Sequence, residues 1–218
     1  MISTRDSMLA RIRAALGRDA DGAGDPEALR QHIRQHPRHI EPAFSDPPVQ
    51  RFRTKIESAE ATVAVVESIS AVALEIERYL GQAGLEKRLV CAGDELLRNI
   101  DWPASLEVEQ RLPLASDQVG VTLAWCGIAE TGTLMLISGK DSPTSLNFLP
   151  DYHIVVLTTD QILLRMEDAW DHLREKHGAM PRTVNFISGP SKTADIEQTV
   201  EYGAHGPRCL HVILVDGQ

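Results

Sequence analysis

The sequence predicts an α/β fold in which a mixed central sheet is flanked by helices and preceded by a helical N-terminal extension. Three observations carry this. Residues 49–92 spell helix–strand–helix–strand, the grammar of a sheet built through crossover helices. Runs such as His153-Ile-Val-Val-Leu157 and Leu210-His-Val-Ile-Leu-Val215 are apolar almost throughout, as strands covered on both faces are. A short gap separates Gly120-Val-Thr-Leu-Ala-Trp125 from Thr133-Leu-Met-Leu-Ile137, which predicts a local antiparallel hairpin and makes the sheet mixed.

Taken in order, residues 4–16 read as a helix. Leu9, Ile12 and Leu16 share a face, Thr4 or Asp6 caps it, and Gly17 stops it. Residues 18–49 are rich in Asp, Gly, Pro and His, which predicts a polar arm with a short helix near 26–35. The expected boundaries are therefore an extension over 1–48 and a domain over 49–218. Within the domain, Phe52, Ile56 and Ala59 have helical spacing, and Thr62-Val-Ala-Val-Val66 is a strand. Ile69, Val72, Ala73, Ile76, Leu80 and Ala83 form a broad helical stripe closed by Gly84. Strands follow at 88–91 and 105–108, with a helical turn near 95–98 between them. The spacing of Ile162, Met166, Trp170 and Leu173 predicts a helix over 161–177, with Asp160 as its cap and Gly178 as its stop. A strand at 183–187 leads into a turn and a short helix that carries Ile196 and Val200.

Composition bounds the function. Of 218 residues, 43% are hydrophobic and 24% charged, enough to bury a sizeable core. The net charge of −9 (22 − 31) argues against nucleic acid or an anionic membrane as a partner, because phosphate binding needs a basic face. The N-terminus lacks the continuous apolar core of a signal peptide, and no stretch is long enough to span a membrane, so a cytoplasmic protein is expected. Cys91, Cys126 and Cys209 are far apart and form no C-x-x-C, so no zinc or iron–sulfur cluster is expected on this chain.

Three loops carry residues able to do chemistry. Ser188-Gly-Pro-Ser-Lys-Thr-Ala-Asp-Ile-Glu197 follows an apolar run and precedes the predicted short helix. Ser191 or Thr193 can cap that helix, with Asp195 in its first turn. Ser188, Gly189, Ser191, Lys192 and Thr193 offer hydroxyls, amides and a cation to an anion; the alternative is a well-capped turn without a ligand. It is not a P-loop, since Phe186 and Ser191 stand where glycines are required. In Gly127-Ile-Ala-Glu-Thr-Gly132, Glu130 can serve as nucleophile, base or cation ligand, with Thr131 and Gly132 beside it, or it is simply a solvated or ion-paired carboxylate. In Tyr202-Gly-Ala-His-Gly-Pro207, His205 is either an acid–base group or a residue that pins its turn by hydrogen bonding to backbone.

Four segments in order, GIAETGTLML (127–136), SLNFLPDYHIVVL (145–157), ISGPSKTADIE (187–197) and GAHGPRCLHVILVD (203–216), resemble the LUD domain. More narrowly they resemble the lactate utilization protein C (LutC/YkgG) family, over about residues 50–217. Two positions depart from the usual pattern: Lys192, where Arg or a small polar residue is more common, and Ala204, where Val is frequent. The resemblance implies a NagB/RpiA/CoA-transferase-like fold and a non-redox role in bacterial oxidation of L-lactate to pyruvate. It implies separate iron–sulfur subunits as partners, with no cofactor held by this chain, and leaves room for a small anionic ligand and a homo-oligomer. It transfers no catalytic residue. The other readings are a free-standing enzyme of the CoA-transferase or sugar-phosphate isomerase type using Glu130, and a scaffold with a vestigial pocket.

Overall fold

Apolar runs that can give neither face to water dictate the architecture. The computed structural model describes residues 4–16, 25–36, 41–194 and 200–216. The chain divides between Phe44 and Ser45. The first unit holds α1 (Thr4–Ala15) and α2 (Pro26–Arg34), and no residue of either helix is buried. Asp25 caps α2 by accepting from the Glu27 N–H at 3.0 Å, and Pro26 opens the helix where its missing N–H leaves no bond unmade.

The second unit opens with α3 (Pro48–Ser58), β1 (Thr62–Val66), α4 (Val72–Ala83), β2 (Arg88–Cys91), α5 (Glu95–Arg98) and β3 (Glu107–Glu109). It continues through β4 (Val119–Leu123), β5 (Cys126–Ile128), β6 (Thr133–Ile137), β7 (Tyr152–Thr158) and β8 (Ile162–Leu163). It closes with α6 (Met166–His177), β9 (Val184–Ile187), β10 (Lys192–Ala194), β11 (Val200–Tyr202) and β12 (Cys209–Val215). Six strands form a wholly parallel sheet in the order β1-β12-β7-β4-β2-β3. Four more form a second sheet, β8-β5-β6-β9, in which only β5 and β8 run parallel. The helix-flanked α/β class expected from the sequence is what forms, with the larger sheet wholly parallel and the second sheet mixed.

Side-chain alternation makes this a layered structure. Along β7, Ile154 and Val156 face a core completed by Val72, Ile76 and Leu80 of α4. Val155 and Leu157, one step over, face a second core with Phe52 and Ile56 of α3 and Leu134 and Leu136 of β6. β12 alternates the same way, Ile213 into the first core and Val212 and Leu214 into the second. The outer face of the second sheet, Cys126, Ile128 and Met135, is covered by Ala169 and Leu173 of α6. Each of these aliphatic side chains contributes about 1.5–3 kcal/mol on burial, so strands buried on both faces anchor the fold.

Three expectations are corrected. The hairpin does not pair 120–125 with 133–137: β4 belongs to the parallel sheet, and it is β5 that pairs with β6, Gly127 opposite Leu134. The helix begins at Met166, not 161. Ile162 and Leu163 add a strand beside Gly127 and Ile128, and the Asp168 carboxylate accepts from the Arg165 N–H at 3.1 Å to start the helix there. After Ile187 the chain forms the antiparallel pair β10–β11, with Thr193 opposite Glu201, in place of the turn into a helix around Val200; Asp195 and Ile196 lie outside the described residues. Among the described residues no helix is long and apolar enough to cross a membrane.

Two histidines are built into the parallel sheet. His153 Nε2 lies 2.7 Å from Thr122 Oγ1, and His211 Nδ1 lies 2.7 Å from Thr62 Oγ1. Burial pushes His153 down to about 3 and His211 down to about 4, the latter despite Glu75 at 3.4 Å. Both are therefore neutral at pH 7, and an unfolded chain takes up their protons first as pH falls. Stability should decline as pH drops through the ordinary imidazole range toward about 3. Urea midpoints measured from pH 7 to 5 are expected to show this slope, and His153→Gln to flatten it.

Candidate functional site

β6 and β9 pair antiparallel with Leu134 opposite Ile187, so the turn before β6 and the turn after β9 lie at one end of the second sheet. Their hydroxyls meet: Thr131 Oγ1 is 2.6 Å from Thr133 Oγ1, which is 2.7 Å from Ser188 Oγ. Glu130 is half-buried, its N–H donating to Leu164 O at 2.9 Å. The third loop joins through Ser191, whose N–H donates to Pro207 O at 2.8 Å and whose Oγ accepts from the His205 N–H at 3.3 Å. His205 itself is exposed.

Several of the loop residues proposed for an anion, Gly132, Gly189 and Lys192 among them, are otherwise occupied. Gly132 has φ +66°, and a Cβ there would lie 2.5 Å from Ile56 N; at Gly189 it would lie 2.6 Å from Ala59 O. Both glycines thus admit the C-terminal end of α3 instead of a ligand. Lys192 Nζ is 2.7 Å from Glu60 Oε1, while Tyr202 donates to Glu60 Oε2 at 2.6 Å. These two bonds hold the Glu60 carboxyl below the usual carboxylate range. Lys192 is an ion-pair partner here, because the β10–β11 ladder sets it opposite Tyr202 and both reach Glu60, two residues past the end of α3. The cluster is a clasp between α3, the second sheet and the hairpin. Gly132→Ala should cost about 1 kcal/mol or more in stability, since it adds a forbidden φ and a backbone collision; an unchanged urea midpoint would contradict this packing.

An open crevice lies elsewhere. From β2 the chain continues to β3 on one side, and from β4 to β7 on the other, so their carboxyl ends mark the topological switch point of the parallel sheet. Ligand crevices in such sheets form there. A cleft of about 360 Å³ is lined at this place by Asp94, Leu123, Ala124, Trp125, Lys140, Asp141, Ser142, Gln161 and His177. A second, of about 210 Å³, adjoins it through Lys140 and Asp141 and adds Gly93, Arg98 and Arg111.

The 138–143 segment reaches the crevice because the Gly93 N–H donates to Asp141 O at 2.7 Å, tying the ends of β2 and β6 together. Asp141 Oδ1 pairs with Arg98 Nη2 at 2.7 Å, and Gly93 is bare where a Cβ would lie 3.1 Å from that same guanidinium nitrogen. Lys140 is exposed and has no ion-pair partner among the described residues. His177 Nδ1 is held by Ala179 O at 2.6 Å, with its ring edge-on to Trp125. Asp94 has one carboxylate oxygen buried without a partner among the described residues. Burial and the neighbouring Asp141 charge push its pKa up, against the pull of Arg98 and Ser142. None of these residues belongs to the three loops that the sequence singled out. The signal available was the pair of Gly- and Asp-containing stretches, 93–94 and 139–141, that follow apolar strands.

A carboxyl whose folded pKa is raised has its full stability below its unfolded value and loses stability as pH rises through the folded value. Asp94→Asn should therefore be more stable than the natural protein at neutral pH, with the gap closing in acid. Chemical denaturation at pH 7 and pH 4 checks the sign.

Together these features define a two-sheet α/β domain with an open crevice outside the carboxyl ends of its parallel sheet. The LUD domain family model matches residues 49–215, and the chain belongs to that family, within its lactate utilization protein C (YkgG) group. Lactate utilization protein C of Shouchella clausii is 30% identical, over 99% of both chains. The Bacillus subtilis protein of the same name is 28% identical over 98% of this chain and 97% of its own. Protein YkgG of Escherichia coli is 30% identical over 75% of this chain and 71% of its own. A crystal structure of a DUF162 family protein from Deinococcus radiodurans matches the fold at a TM-score of 0.58, with 21% identity, 77% of this chain and 96% of that one.

Proposed function

We propose that this chain is a non-redox subunit of a system that oxidises L-lactate to pyruvate, working with separate subunits that hold iron–sulfur clusters. The observation that carries this is the 30% identity over nearly the full length to a lactate utilization protein C. The chemistry of the cysteines supports the non-redox assignment. Cys91 and Cys126 are buried, and burial pushes both thiols up to about 12; Cys209 is pushed up as well. Cluster ligation needs thiolates gathered within bonding distance of one another. Among the described residues no group of three His, Cys, Asp or Glu side chains is placed to hold a metal.

Lactate loses two electrons and two protons to become pyruvate, and the electrons leave through the partner clusters. This chain then supplies the binding crevice or the surface on which those partners assemble. The test is reconstitution with the neighbouring subunits, reading lactate-dependent reduction of an artificial electron acceptor. Omitting this chain is expected to abolish the reaction, and adding it back to restore it. A full rate without it contradicts the proposal, as does anaerobic preparation of this chain alone with about one iron–sulfur cluster bound.

A further inference from the structure

The crevice at the switch point has a polarity that the family likeness does not supply. Its two compartments carry three cations, Lys140, Arg98 and Arg111; Arg98 already has a partner in Asp141 and Arg111 in Asp117, and Lys140 has none among the described residues. Lys140 and Asp141 line both compartments, so this cationic edge sits where the two join. The larger compartment is lined as well by Asp94, with its buried oxygen unpartnered among the described residues. Leu123, Ala124, Trp125 and Ile137 give the larger compartment an apolar wall.

We propose that this crevice binds a short 2-hydroxy acid, its carboxylate on Lys140 and its neighbouring hydroxyl on Asp94. The place follows from the crevice; the choice of acid rests on the lactate-oxidising role proposed above. A lone exposed ammonium next to a satisfied Arg–Asp pair is a vacant counter-charge for one carboxylate, and charge-assisted hydrogen bonds to it are the strong ones. A buried carboxylate oxygen without a partner is short of one hydrogen bond, which a hydroxyl adjacent to that carboxylate can donate. The apolar wall then meets the remaining short carbon chain. Gly93 has a part in this: a methyl group at that position would press within 3.1 Å of the Arg98 guanidinium.

The experiment is isothermal titration of the full chain with L-lactate, pyruvate and inorganic phosphate in turn. Lactate should bind saturably, and more tightly than pyruvate, which lacks the hydroxyl donor. Lys140→Ala should weaken that binding about tenfold or more, the scale of one charged hydrogen bond. Asp94→Ala should weaken it too, whereas Asp94→Asn, which keeps an acceptor oxygen, should retain it. Lys192→Ala, in the clasp at the other loops, should bind as the natural protein does. Loss in Lys192→Ala with Lys140→Ala unaffected overturns the site. Binding of phosphate alone overturns the hydroxy-acid assignment. Absence of any saturable binding overturns the inference altogether, and if the reconstituted complex still needs this chain for lactate oxidation, the proposed role stands while the site falls.

Discussion

The structure depends on a hand-over at Ala124 and Trp125. One apolar run, 119–128, has to serve two sheets. The Ala124 N–H donates to Val156 O at 2.9 Å in the parallel sheet, and the next N–H, of Trp125, donates to Met135 O at 2.8 Å in the second. Leaving either amide buried and unbonded would cost about 1–3 kcal/mol, so the crossing point has little freedom to slide. Ala124 is 1% exposed and small enough to sit between the two layers. Its neighbours Leu123 and Trp125 become the wall of the crevice. The same strands that close the core thereby fix where the open side must be.

That constraint explains which parts of the architecture could be read from the sequence. β7 and β12 are unmistakable because alternate residues go to different cores and both cores are apolar. α4 is legible for the opposite reason, a single stripe of Val72, Ile76 and Leu80 and a glycine at its end. The hand-over is invisible to periodicity, since a strand leaving one sheet for another keeps the same apolar run. Ile162 fits a helical face as well as a strand, and only the parallel partner at Gly127 decides between them. The pairing of β10 with β11 replaces the predicted turn into a helix because its bonds come from residues six to ten positions apart.

The candidate site was less legible, and for a physical reason. The loops at 127–132, 188–193 and 203–207 do gather, but several of their polar groups bond one another or Glu60. Hydroxyl meets hydroxyl, and the lysine meets Glu60, which carries an unusual φ of +72° at the end of α3. A composition of Gly, Ser, Thr and Lys looks the same whether it receives a ligand or the end of a helix. Conversely, Asp94 gains its character from Asp141, Arg98 and Ser142, and two of these lie almost fifty residues away in sequence. No local pattern announces an environment assembled from the ends of different strands.

The most direct test of this account is native-state hydrogen exchange at the hand-over. If the two sheets are one cooperative unit joined there, the Ala124 and Trp125 amides should exchange only through global unfolding, with the same free energy of opening as the amides of β7 and β12. Exchange of Trp125 through a separate, lower-energy opening, with β7 and β12 still protected, would mean that the second sheet detaches on its own and that the crevice wall is not fixed by the core.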